Sequence, residues 1–113
     1  MCGTLNCPAG YNCNLTCTGN NGCKDATLNC PANQCCSVDC SNSTDSCRNF
    51  TFNCGSESTC ALTCHDGGGG GGVCINLDVV CGNDACTAAC TGSGDPNGFT
   101  FTANQSCGAS NGC

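Results

Sequence analysis

The stretch CPANQCCSVDCSNSTDSCRNFTFNC, residues 30–54, carries cysteines at 30, 35, 36, 40, 47 and 54. Inside it Cys36, Val38 and Cys40 fall at i, i+2 and i+4, and Phe50, Phe52 and Cys54 do the same. On a strand such residues share one face, whereas on a helix positions i and i+2 point apart. The stretch therefore reads as two short strands, each with one apolar side, joined by turn-forming segments.

The pattern recurs on both sides. Upstream, Cys7, Cys13, Cys17 and Cys23 lead to Cys30; downstream, Cys54, Cys60, Cys64 and Cys74 lead to Cys81. The leading cysteines of these three units are 23, 24 and 27 residues apart. A fourth unit runs from Cys81 through Cys86 and Cys90 to Cys107 and lacks the cysteine that should follow its loop, while Cys107 and Cys113 open a fifth. Cys2 fits the shortened tail of a preceding unit, and Cys35 alone falls outside the pattern. The first strands repeat as Cys13, Leu15, Cys17, then Cys60, Leu62, Cys64, then Cys86, Ala88, Cys90. The second strands repeat as Ala26, Leu28, Cys30 and as Leu77, Val79, Cys81.

One-faced strands this short cannot bury their apolar side alone, but stacked units can. The expected fold is all-β: a disulfide-stapled β-solenoid of about four to five coils, roughly 24 residues per coil, with rungs about 4.8 Å apart. It forms a single array over 1–113, with a partial coil 1–6, coils 7–29, 30–53, 54–80 and 81–106, and a partial coil 107–113. Independent cysteine knots such as EGF-like modules carry more cysteines per unit than this repeat does.

Composition agrees. Leu, Ile, Val and Phe together number 14 of 113 residues, Trp is absent and the net charge is −6. Such a chain would ordinarily stay disordered. Nineteen cysteines change that, because each crosslink removes unfolded-state entropy worth about 2–4 kcal/mol. Bridges across a thin interior are expected to replace the missing core, with connectivity left open by the spacing. So many thiols imply an oxidising, extracellular or cell-surface location. The start MCGTLNC has neither a basic nor an apolar export region, so any export signal is expected to lie outside this chain. No stretch approaches the roughly 20 apolar residues of a membrane span. With Lys24 and Arg48 the only basic residues, no nucleic-acid partner is expected.

Chemistry-bearing motifs are few. Neither C-x-C nor C-x2-C occurs, so paired thiolates for a tetrahedral metal site are not expected. The single histidine, His65, follows Cys64, but neighbours on a strand point apart, and His65 reads as an exposed turn residue. No catalytic residue, cofactor or metal is expected. The six glycines 67–72 occupy the loop between the third and fourth cysteines of a unit. The repeat resumes in phase at Cys74, which excludes a domain linker, and no Lys, Ser or Thr follows to hold a phosphate. N-x-S/T sequons stand at Asn14, Asn42, Asn49 and Asn104, with Asn14 outward on its strand, Asn42 in a turn and Asn49 at a strand start. All four are candidate acceptors of N-linked glycans.

Outward positions also repeat. Thr4, Thr27 and Thr51 each precede, by two residues, Asn6, Asn29 and Asn53, which predicts a ladder of side-chain amides. Thr rows on a disulfide-stapled coil resemble, in architecture, the insect disulfide-rich antifreeze proteins. Those repeats are half as long and carry T-x-T on one face, which in the second strands here occurs once, at Thr100 to Thr102. The long Cys-rich repeat with sequons also resembles extracellular filament proteins such as flagellar-hair (mastigoneme) components. No polar cap closes either end of the sequence, which leads to the expectation of head-to-tail homopolymerisation. Nineteen is odd, so at least one thiol is unpaired or bonds to a neighbouring molecule. Cys2, Cys35 and Cys90 are the expected leftovers. Three functional classes follow: a structural filament subunit, an ice-binding or other surface-binding solenoid, and a secreted disulfide-rich inhibitor.

Overall fold

The computed structural model describes residues 3–41, 45–66, 73–92, 100–102 and 109–112, with the side chains of 66, 92, 100–102 and 109–112 left out. Among them every regular element is a strand: β1 (Thr4–Asn6), β2 (Cys13–Cys17), β3 (Thr27–Asn29), β4 (Cys35–Ser41), β5 (Thr51–Asn53), β6 (Thr59–Asp66), β7 (Asp78–Val80), β8 (Cys86–Gly92), β9 (Thr100–Thr102) and β10 (Ala109–Gly112). Odd and even strands form separate parallel sheets, ordered β1-β3-β5-β7-β9 and β10-β8-β6-β4-β2. Each coil gives one strand to each sheet, which defines a β-solenoid. About three turns, the coils 7–29, 30–53 and 54–80, are followed for most of their length. Beyond them β8, β9 and β10 keep the register.

That register is the one the cysteine repeat implies. Leu28 pairs with Leu5 and Phe52, and Val38 pairs with Leu15 and Leu62. The inward stripe is closed: Leu28, Val38, Phe52, Leu62 and Val79 are each 3% exposed or less. Ala26, Phe50 and Leu77, just outside the three-residue strands, are also buried and hold the corner against the interior.

The bridges are local rather than transverse, which corrects the expected crosslinks across the interior. Cys7–Cys13, Cys30–Cys36, Cys54–Cys60 and Cys81–Cys86 staple the corner before each long strand. Cys17–Cys23, Cys40–Cys47 and Cys64–Cys74 staple the corner after it. The physical reason lies in the turns, which bring each partner back to about 6 Å between Cα atoms, a distance a disulfide spans without strain. The interior is filled by aliphatic and aromatic side chains, and the sulfurs line its edges.

Corners are built from Asn, Asp and a few others in the left-handed region. Asp25, Asn49 and Asn76 have φ of 58°, 56° and 52°, while Asn33 and Glu57 have 61° and 57°. Asn and Asp tolerate this conformation best among residues with a side chain. The corners are also hydrogen-bonded from coil to coil, Cys23 N–H donating to Ser46 O at 2.8 Å and Asp25 N–H to Arg48 O at 2.9 Å. Asn49 is therefore a turn residue two positions short of β5, not a strand start.

Two glycines are set by coil-to-coil contact. A Cβ on Gly55 would stand 2.5 Å from Cys30 O and 2.7 Å from Pro31 C, and one on Gly82 would collide with Gly55 O. Backbone cannot swing aside as a side-chain tip can. Gly82→Ala is expected to destabilise by about 1–3 kcal/mol, the usual cost of overpacking, read as a lower denaturant midpoint. Gly19→Ala, with open space at its Cβ, is the control expected to change little.

Candidate functional site

With the described interior closed, the outward faces and the first described rung are the surfaces that remain. The face of the odd-numbered sheet carries a row of Thr4, Thr27, Thr51 and Asp78 beside a row of Asn6, Asn29, Asn53 and Val80, and the backbone register continues to Thr100 and Thr102. The Asn29 amide donates to Asn6 Oδ1, and the Asn53 amide to Asn29 Oδ1, each at 2.8 Å. The amide ladder predicted from the T-x-N repeat is thus formed over three rungs. It stops where Val80 takes the next position.

A second ladder was not legible from the repeat. Asn49 Nδ2 donates to Asp25 Oδ1 at 2.7 Å, and Asn76 Nδ2 donates to Asn49 Oδ1 at 3.3 Å. These are the left-handed corner residues, and the signal was the recurrence of Asp or Asn two residues before the strand-flanking Thr or Asp. Two buried serines act similarly. Ser46 Oγ donates to Gly19 O at 3.3 Å; Ser58 Oγ donates to Pro31 O while accepting from Gln34 N–H.

The even-numbered sheet carries His65 and Cys35. His65 lies on β6, not in a turn, and one ring nitrogen is 2.7 Å from Thr91 Oγ1. Cys64 beside it is bonded to Cys74. Cys35 begins β4, is exposed, and is the free cysteine among the described residues. Cys90, expected to be left over, is disulfide-bonded; the half-coil irregularity that singled it out lies in the loop after it, not in its own bonding. Cys2, Cys107 and Cys113 lie outside the described residues, as do the glycine run 67–72 and the sequons at Asn42 and Asn104.

Comparison with protein-family models, with curated proteins and with solved structures finds no match for this chain. Its chemistry must be read from its own surfaces.

The two described sequons differ in a way that sequence spacing does not reveal. Asn14 is exposed, and its Oδ1 accepts from Ser37 Oγ at 2.6 Å, so its Nδ2 is not the atom held. Asn49 has its Nδ2 engaged by Asp25 in the corner ladder. In a secretory eukaryotic host, glycan is expected on Asn14 at higher occupancy than on Asn49, measured by mass spectrometry after enzymatic deglycosylation. Higher occupancy at Asn49 would mean that the corner ladder forms too late to matter.

The first rung is the other feature. β1 pairs with β3 and β2 with β4, each on one side among the described residues. Leu5, Cys13 and Leu15 are half-buried, whereas their counterparts one rung on, Leu28, Cys36 and Val38, are buried. Between β1 and β2 lies an apolar groove of about 240 Å³, lined by Leu5, Pro8, Cys13, Leu15 and Leu28 among others.

Proposed function

We propose that this protein is a structural, non-enzymatic subunit of a secreted, disulfide-rich filament, four to five coils long and glycosylated at Asn14, in which copies stack head-to-tail. The observation that carries the reading is the open groove over Leu5 and Leu15. The occupant it fits is a coil of a second copy, because coils of this repeat already dock on one another with Leu over Leu, Thr over Thr and Asn over Asn. A strand edge that pairs on one side among the described residues, with an apolar stripe beneath, is a template for further pairing, and such a heterologous contact propagates rather than closes. The bridges favour an oxidising extracellular setting, and a rod crosslinked in every coil suits a load-bearing role.

Net charge −6 makes copies repel at low salt, and screening over about 8–10 Å at physiological ionic strength relieves this. Assembly followed by light scattering and electron microscopy is expected to rise with salt and to be lost in Leu5→Lys, which places an ammonium in the groove. A chain that stays monomeric at every salt concentration, or a Leu5→Lys variant that assembles normally, would overturn the reading.

A second reading, surface binding through the odd-numbered sheet, is favoured by the Asn6–Asn29–Asn53 ladder, which holds its amides at a fixed rung repeat. Thermal hysteresis tests its ice-binding form, with Thr27→Leu as the variant that should lower it.

A further inference from the structure

Three sulfurs crowd the interior edge where β2 meets β4. The Sγ atoms of Cys17, Cys40 and Cys47 all lie within 4.8 Å of one another, and these residues are 2%, 0% and 0% exposed. Yet the bonds run Cys17–Cys23 and Cys40–Cys47. Cys17 and Cys40 are register partners in adjacent strands. The spacing of paired strands, about 4.8 Å, falls within the range of about 4.4–6.8 Å between Cα atoms that a disulfide spans. Cys64 and Cys90 continue the same register position on β6 and β8, so this position is a cysteine on each even strand from β2 to β8.

We propose that the Cys17, Cys40 and Cys47 cluster is a thiol–disulfide exchange site, in which an unpaired sulfur on one coil displaces a sulfur from the bridge of the next. Starting from a free Cys17, its thiolate attacks Cys40 Sγ. The Cys17–Cys40 bond forms, the Cys40–Cys47 bond breaks, and Cys47 leaves as a thiolate that takes up the proton Cys17 gave up. The number of bridges is unchanged and nothing is oxidised or reduced, so the step needs no co-reactant. The starting thiol comes from reduction of Cys17–Cys23 by an external dithiol, which is itself oxidised to its disulfide.

Proximity makes the step specific, because holding nucleophile and target in one packed site replaces a bimolecular encounter by an intramolecular one. Burial disfavours the thiolate, so exchange is slow at neutral pH and faster in mild alkali. The exchange would let an unpaired sulfur pass from the coil of Cys17 to the next, so that a bridge mispaired there during folding can be re-sorted without unwinding the rod. This is independent of any filament.

The test uses the full chain in a Cys35→Ser background, which removes the exposed thiol. Adding Cys23→Ser leaves Cys17 unpaired. After incubation at mildly alkaline pH, acid quenching, denaturation and alkylation with a maleimide, peptides are mapped by mass spectrometry. The expected result is label on Cys47 together with a Cys17–Cys40 linkage. Label on Cys17 alone with Cys40–Cys47 intact overturns the proposal, and so does label spread without preference over all cysteines. Should Cys23→Ser fail to fold, the Cys35→Ser chain is treated with dithiothreitol until label first reaches Cys23. Label on Cys47 with Cys17–Cys40 bonded in those molecules is the expected result, whereas label on Cys17 and Cys23 with Cys40–Cys47 intact overturns it.

Discussion

In dithiothreitol without denaturant, the chain is expected to lose its strand signal by far-ultraviolet circular dichroism. The seven described bridges close loops of sequence separation 5 to 10 that follow one another along the chain without nesting. Their effects on the unfolded chain therefore add. A loop of this size contributes about 2 kcal/mol in the chain-entropy account, so that seven together contribute on the order of 14 kcal/mol. That matches the whole net stability of an ordinary domain, about 5–15 kcal/mol, in a chain with only 14 Leu, Ile, Val and Phe residues. Bridges should also open in order of access: Cys7–Cys13 first, since Cys13 is half-buried, and Cys40–Cys47, with both residues at 0% exposure, last. Timed alkylation reads that order. A fully reduced and alkylated chain that keeps a strand spectrum would show that apolar packing suffices without the staples.

How far the sequence foretells this depends on whether a property is decided within one coil or between coils. Cys36, Val38 and Cys40 announce a strand because the two-residue period of a pleated backbone acts on consecutive residues, and repetition of that triplet announces the stack. Disulfide partners were not legible, because Cys17 is nearer in sequence to Cys13 than to Cys23, and only the turn after β2 brings Cys23 back to it. Gly55 and Gly82 carry no signal in the sequence, since what forbids a Cβ there is the backbone of the preceding coil. Asn49 looked like a sequon at a strand start; its left-handed φ and its bond to Asp25 belong to a coil-to-coil ladder. The same holds for the groove over Leu5, which exists only because two strands some ten residues apart face each other across the tube.

The core makes the second large prediction. Phe52 is fully buried, lies between Leu28 and Val79 in register, and belongs to a tube too thin to have a second apolar layer behind it. Phe52→Ala is expected to cost about 3–5 kcal/mol, the transfer free energy of the ring plus the cavity left behind. The bridged corners on either side resist collapse into that cavity, which places the cost toward the upper end. Phe52→Leu is expected to cost less than about 1.5 kcal/mol, because Leu28 already fills the same position one coil earlier. Thr51→Ala, next to it on the outward face, should stay within about 0.5 kcal/mol. Because the intact bridges keep the unfolded chain compact, less surface is exposed on unfolding and the denaturant slope is shallow. A loss of this size then appears as a large shift in midpoint. If Phe52→Ala unfolds at the same midpoint as Thr51→Ala, the inward stripe contributes little, and the bridges alone hold the coils in register.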